Sequence, residues 1–112
     1  MTGMEPAADA PRLVLTTTPD RAVAERIARE LVERRLAACV SFLPSMRSVY
    51  RWKGAVEEAD ELLVIVKTTA GRLVELERAL AEIHPYDVPE CVALAPDRVE
   101  AKYLAWLAGE TR

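Results

Sequence analysis

Residues 36–69 read LAACVSFLPSMRSVYRWKGAVEEADELLVIVKTT, and the fold turns on how this stretch is divided. Leu36 to Phe42 is a short apolar run with strand character. Pro44 interrupts it and Ser48-Val49-Tyr50-Arg51-Trp52 resumes it, so the strand is expected to lie at a sheet edge or to carry a bulge. Lys53-Gly54 is a tight-turn dipeptide, and Ala55-Val56-Glu57 is expected to pair back as a hairpin. Glu61 to Thr69 is the clearest strand of the chain, closed by Gly71. The stretch therefore holds two consecutive strands, numbers two and three of the order below.

Upstream, Arg12 to Thr18 (RLVLTTT) reads as strand one. Thr18 is a candidate helix cap, Pro19 suits a first helical position, and Asp20 complements the positive helix end. A helix to about Arg35 follows, with Val23, Ile27 and Leu31 on one stripe and the ladder Arg21, Glu25, Arg29, Glu33 on a solvated face. Downstream, Leu73, Leu76, Leu80 and Ile83 mark a second amphipathic helix that ends at His84-Pro85, because proline disfavours helix in the residue before it. Glu90 to Leu94 is a fourth strand, and Glu100 to Ala108 a short terminal helix.

The order βαββαβ plus a C-terminal helix is that of an α+β, ferredoxin-like split βαβ domain. Its crossovers place both helices on one face of an antiparallel sheet, with strands two and four at the edges. Val40, Phe42, Leu63 and Ile65 alternate with Cys39, Ser41, Leu62, Val64 and Val66, so both sheet faces are apolar. A face apolar yet uncovered predicts burial against another copy.

The 112 residues make one domain, expected over residues 12–112 behind a flexible leader over residues 1–11. The leader has neither the basic nor the apolar segment of a signal peptide, and the longest strongly apolar run, Leu62 to Val66, cannot span a bilayer. Cys39 and Cys91 form no CxxC pair or disulfide framework, which suits a reducing compartment, so a cytoplasmic protein with no membrane partner is expected. A net charge of −3 lacks the footprint of a nucleic-acid binder. No glycine-rich phosphate loop and no nucleophile motif occurs, so no enzyme activity is expected.

AACVSF with SVYRWKGAVEE, then ELLVIVKTT, then HPYDVPE with a later YLAW, resemble in order and spacing the CutA divalent-cation tolerance family, from about Leu13 to Trp106. The resemblance implies a ferredoxin-like subunit in a cytoplasmic homotrimer similar in architecture to the nitrogen-regulatory PII proteins. It implies a link to copper, as Cu(I) or Cu(II), or to another divalent cation, with no cofactor required for folding. In such a trimer the Ser48–Glu57 hairpin is expected to pair across the interface. Cys39 admits two readings, a soft metal ligand or a small buried hydrophobe. His84, the only histidine, is a metal contact or a helix-end cap. Cys91 reads as a packing residue. Some copper-linked members carry further cysteines and a doubled histidine, where this chain has Thr16, Thr17, Ala79 and Ile83. Tyr50, Trp52, Glu61, Lys67, Tyr86 and Glu90 are expected either to line a crevice between subunits that takes a small anion or metabolite, as PII-like sensors do, or to form a structural network at an interface. Leu94-Ala95-Pro96 and Asp97-Arg98-Val99 depart from the family's usual glycine-containing loop.

Overall fold

The computed structural model describes residues 6–112. Four strands form one antiparallel sheet in the order β2-β3-β1-β4: β1 Pro11–Thr18, β2 Cys39–Trp52, β3 Ala55–Thr69 and β4 Val92–Leu94. The helices are α1 Arg21–Glu33, α2 Leu73–Ile83 and α3 Ala101–Glu110, with a 3₁₀ turn over Ala70–Arg72. This is the ferredoxin-like α+β arrangement, with β2 and β4 at the edges. Residues 1–5 of the expected leader lie outside the described residues. Residues 8–10 are tied down: the Ala8 and Ala10 carbonyls accept from Gly71 and Ala70 N–H at 2.9 and 2.8 Å.

Both long strands run further than their apolar cores suggest. β2 continues through Pro44, and β3 starts at Ala55, so the pair projects as a two-stranded arm. Lys53 (φ 49°) and Gly54 (φ 81°) both sit in the left-handed region, as the turn that joins twisted antiparallel strands requires. Leu43 pairs with Leu63 and Met46 with Glu61, so Pro44 and Ser45 share one rung: a β-bulge, with Ser45 at φ 67°.

The register corrects the expected division of faces. Val40 lies opposite Val66 and Phe42 opposite Val64, so these four share the face that carries Val14, Thr16 and Leu62. Cys39, Ser41, Leu63, Ile65 and Lys67 share the other. The first face packs under α1 and α2, where Val14, Val64, Val66, Ile27, Leu31, Leu76 and Leu80 form the core. On the second face Leu13, Leu15, Leu63 and Ile65 stay half-exposed. α3 takes only one end of it: Thr111, buried after the helix, meets Thr69 with their Oγ1 atoms 3.2 Å apart.

The first helix starts at a different residue from the one expected. Thr18 still pairs with Leu62 in the sheet, so the cap moves to Asp20, whose carboxylate accepts from Val23 N–H at 2.9 Å. The helix stops at Glu33, two residues short of the sequence expectation, because Arg35 turns left-handed (φ 59°) and Leu36 N–H closes back onto the Leu31 carbonyl at 2.9 Å. Arg35 in turn donates to the carbonyls of Gly109 and Arg112 at 2.9 and 2.7 Å, fastening α3 to the end of α1.

Thr16 is fully buried on the helix-covered face, and its hydroxyl has no partner among the described residues. An unpaired buried hydroxyl destabilises, and valine has the same shape without it. Thr16→Val is therefore expected to stabilise the fold by about 1 kcal/mol. A thermal melt should move up by about 4 °C; a lower melting temperature would show that the hydroxyl is satisfied.

Candidate functional site

A concavity opens on the half-covered face, between the β2–β3 arm and the segment after α2. It is a cleft of about 830 Å³. The bulge builds its first wall. One extra residue in β2 reverses the alternation, so Met46, Ser48, Tyr50 and Trp52 join the face that carries Ala59, Glu61 and Leu63. Pro85, Tyr86, Asp87, Val88 and Glu90 form the opposite wall, and Thr17 of β1 lies at the base.

His84 sets that second wall. Its N–H closes α2 onto the Leu80 carbonyl at 2.9 Å, and its backbone then turns extended before Pro85. The imidazole, 7% exposed, leaves its own helix and reaches β1: Nε2 lies 2.7 Å from the Thr17 carbonyl oxygen. Nδ1 accepts from Tyr86 N–H at 3.1 Å. A carbonyl can only accept and an amide N–H can only donate, so the ring is the neutral Nε2–H tautomer. It ties β1 to the wall instead of capping α2, and neither nitrogen has a lone pair free for a metal. The Tyr86 ring rests against it, centroids 4.7 Å apart.

Tyr86 reaches from this wall to the other and donates its hydroxyl to Glu61 Oε2 at 2.8 Å. Burial by itself raises the Glu61 pKa, but hydrogen bonds from Ser48, Tyr86 and Thr17 favour the carboxylate and hold it below the ordinary value. Burial and the bond to that carboxylate together push the Tyr86 hydroxyl far up, so it stays protonated and donating. A carboxyl whose folded pKa is depressed contributes stability above its unfolded pKa, and this is lost as pH falls through the folded value. Wild type is therefore expected to lose stability below pH 4.5, the group's ordinary value, more steeply than Tyr86→Phe. The variant is expected to be weaker by about 1 kcal/mol at neutral pH, with the difference shrinking in acid. Urea midpoints across this range check it; a pH-independent difference would refute it.

Five of the six expected crevice residues line the cleft: Tyr50, Trp52, Glu61, Tyr86 and Glu90. Lys67 does not. It lies at the other end of the same face, with Nζ 2.6 Å from Ser41 Oγ and 3.7 Å from Cys39 Sγ. Among the described residues the lining carries the carboxylates of Glu61, Asp87 and Glu90, and Lys53 of the adjoining turn stands 5.8 Å from the Trp52 ring. Ser48, Thr17 and Asp87 were missed by sequence reasoning, although Ser48 keeps the alternation of Tyr50 and Trp52 and Asp87 lies within HPYDVPE.

Cys39 and His84 are not brought together. Cys39 begins β2 beside Lys67, whose partner on β1 is Leu13, whereas His84 binds Thr17 at the far end of β1. Cys39 is half-buried and close enough to Tyr103 of α3 to add to the rise that burial gives the Tyr103 hydroxyl. Cys91 packs against the core, and burial, then Glu77 and Glu90, push its thiol up. Thr16 points into the helix-covered core, opposite to Cys39, so a donor at that position faces away from it. Among the described residues no three His, Cys, Asp or Glu side chains converge as a metal site within one chain.

The CutA1 divalent ion tolerance protein family profile matches residues 12–110. The chain is 48% identical over 99 residues to the divalent-cation tolerance protein CutA of Thermus thermophilus, a match covering 88% of this chain and 96% of that one. Its fold superposes on CutA from Xylella fastidiosa with TM-score 0.89 at 38% identity, over 92% of this chain and 99% of the other. The protein described as the periplasmic divalent cation tolerance protein CutA of Archaeoglobus fulgidus matches with TM-score 0.88 at 32% identity, over 91% and 99%. Profile, identity and fold agree over nearly the whole chain, which therefore belongs to the CutA1 divalent ion tolerance family.

Proposed function

We propose that this chain acts as a homotrimeric divalent-cation tolerance module, non-catalytic, that meets copper or another soft cation through Cys39. The observation that carries the reading is the placement of Cys39. Cys91, half-buried as Cys39 is, packs against the helix-covered core, and burial pushes its thiol up. Cys39 lies instead on the half-covered apolar face with Leu63 and Ile65, the surface whose burial favours self-association. Thiolate suits Cu(I), and assembly multiplies a donor that one chain offers singly.

The two edge strands supply the means of closure. β2 carries an arm with one unpaired edge, β4 is three residues long, and a ring of copies pairing through them leaves no edge open. The Ser48–Glu57 part of the arm is the segment assigned to that contact. Two unpaired cysteines support a cytoplasmic setting, and no helix among the described residues is long and apolar enough to cross a membrane.

Light scattering at micromolar concentration should give three times 12.4 kDa, and a stable species at 12.4 kDa would sink the assembly. Cu(I) titration against a competing chelator should show binding to wild type that Cys39→Ser loses. Equal binding by both would remove Cys39 as the donor.

A further inference from the structure

We propose that His84 is a proton-operated latch: a second proton on its ring opens the bond to Tyr86 and, through Tyr86, releases the root of the β2–β3 arm. The latch lies within one chain and depends neither on Cys39 nor on assembly.

The hydrogen bonds of the neutral ring carry the inference. Nε2–H donates to the Thr17 carbonyl at 2.7 Å, and Nδ1 accepts from Tyr86 N–H at 3.1 Å. The first bond survives protonation, because an imidazolium donates from both nitrogens. The second does not, because a protonated Nδ1 has no lone pair and its hydrogen would face that of the amide. The Tyr86 backbone must then turn away, and with it the ring that rests on the imidazole at 4.7 Å. That ring carries the hydroxyl that donates to Glu61 at 2.8 Å, and Glu61 pairs with Met46 beside the bulge, where the arm begins.

Charged groups surround the latch. In addition to burial and its hydrogen bonds, Glu61 of β3 feels charge on the ring, which favours its carboxylate. An imidazolium released from Tyr86 therefore has an anion to turn to and competes with Tyr86 for it. From α1, Arg26 donates to the Ile83 carbonyl, next to His84, at 3.3 Å. Burial and Glu61 act first on the Tyr86 hydroxyl, then Tyr50 of β2 and Asp20 before α1. Asp87 and Glu90 lie in the same wall, and β1 presents the Thr17 carbonyl.

The chain has one histidine and three tyrosines, so nitrogen-15 labelling of these two types gives one imidazole and three tyrosine amides to follow. Tyr86→Phe identifies the Tyr86 amide by its absence. Imidazole changes charge between about pH 8 and about pH 5, whereas Glu61, held below its ordinary 4.5, stays ionised there. On acidification Nδ1 is expected to turn from acceptor to donor. The Tyr86 amide should shift with the same midpoint and lose about tenfold in exchange protection. The Tyr50 amide, on the arm, should follow, and that of Tyr103, at the other end of the sheet face beside Cys39, should not. In Tyr86→Phe the imidazole should still titrate while Tyr50 stays still. In His84→Gln, whose side chain donates and accepts but takes no proton, neither Tyr86 nor Tyr50 should move. The proposal is overturned by a ring that titrates while the Tyr86 amide keeps its position and protection, by a ring still neutral at about pH 5, by a Tyr50 amide that ignores the ring, or by equal movement in the glutamine variant. The first three are read on the wild-type chain and so stand whether or not a variant folds.

Discussion

Ile27→Ala is expected to lower the unfolding free energy by about 3 kcal/mol. Ile27 is fully buried at the middle of α1, in the core cluster with Leu76 and Leu80 of α2 and Val64 and Val66 of the sheet. The change removes three carbons that face neighbours on every side. The loss adds the transfer free energy of those carbons to the cavity left by incomplete collapse. In urea the midpoint should fall by about 1–2 M with the slope unchanged. Protein concentration must be held constant, because assembly contributes to apparent stability. Val74→Ala on α2, away from the arm and 60% exposed, is the internal contrast and is expected to change stability by less than about 0.5 kcal/mol. Equal effects at the two positions would mean that the loss at Ile27 does not come from burial.

His84→Leu should cost about 2–4 kcal/mol, for a different reason. Leucine keeps the bulk and removes both nitrogens. The Thr17 carbonyl and the Tyr86 N–H, bonded at 2.7 and 3.1 Å in the native chain, lose their partners in a buried place. The penalty is then desolvation left uncompensated and not a loss of packing. Because His84 places Tyr86, the bond from Tyr86 to Glu61 should loosen too, and the variant's acid sensitivity should approach that of Tyr86→Phe. His84→Gln, which restores one donor, is expected to recover part of the loss. A leucine variant as stable as wild type would mean that water can reach both groups.

Much of this was legible from the chain. Lys53-Gly54 marked the hairpin, Pro44 a sheet edge or a bulge, and His84-Pro85 the end of α2, because each residue type there restricts the local backbone. Tyr50, Trp52, Glu61, Tyr86 and Glu90 emerged from matching segments. What escaped depended on contacts between distant residues. The division of faces could not be read without the register, since alternation along β2 says nothing about which rung of β3 it meets. Thr18 was passed over as a cap because its backbone is held by Leu62, 44 positions later in the chain. Lys67 was placed with the cleft although the strand's rise carries it to the opposite end of the face. His84 was read as a metal contact or a helix-end cap, and its bond to β1 was missed because the carbonyl it meets, that of Thr17, belongs to another element.

The bulge at Pro44 and Ser45 separates two properties of the arm that are usually bound together. With two residues of β2 set against one of β3, deleting Ser45 would leave Leu43 opposite Leu63 and Met46 opposite Glu61. Every later side chain would keep its face. What would change is the bend and extra twist that a bulge imposes, and with them the direction in which the arm points. A lineage of such chains can therefore re-aim the arm by inserting or losing one residue, while the chemistry presented along it stays as it was.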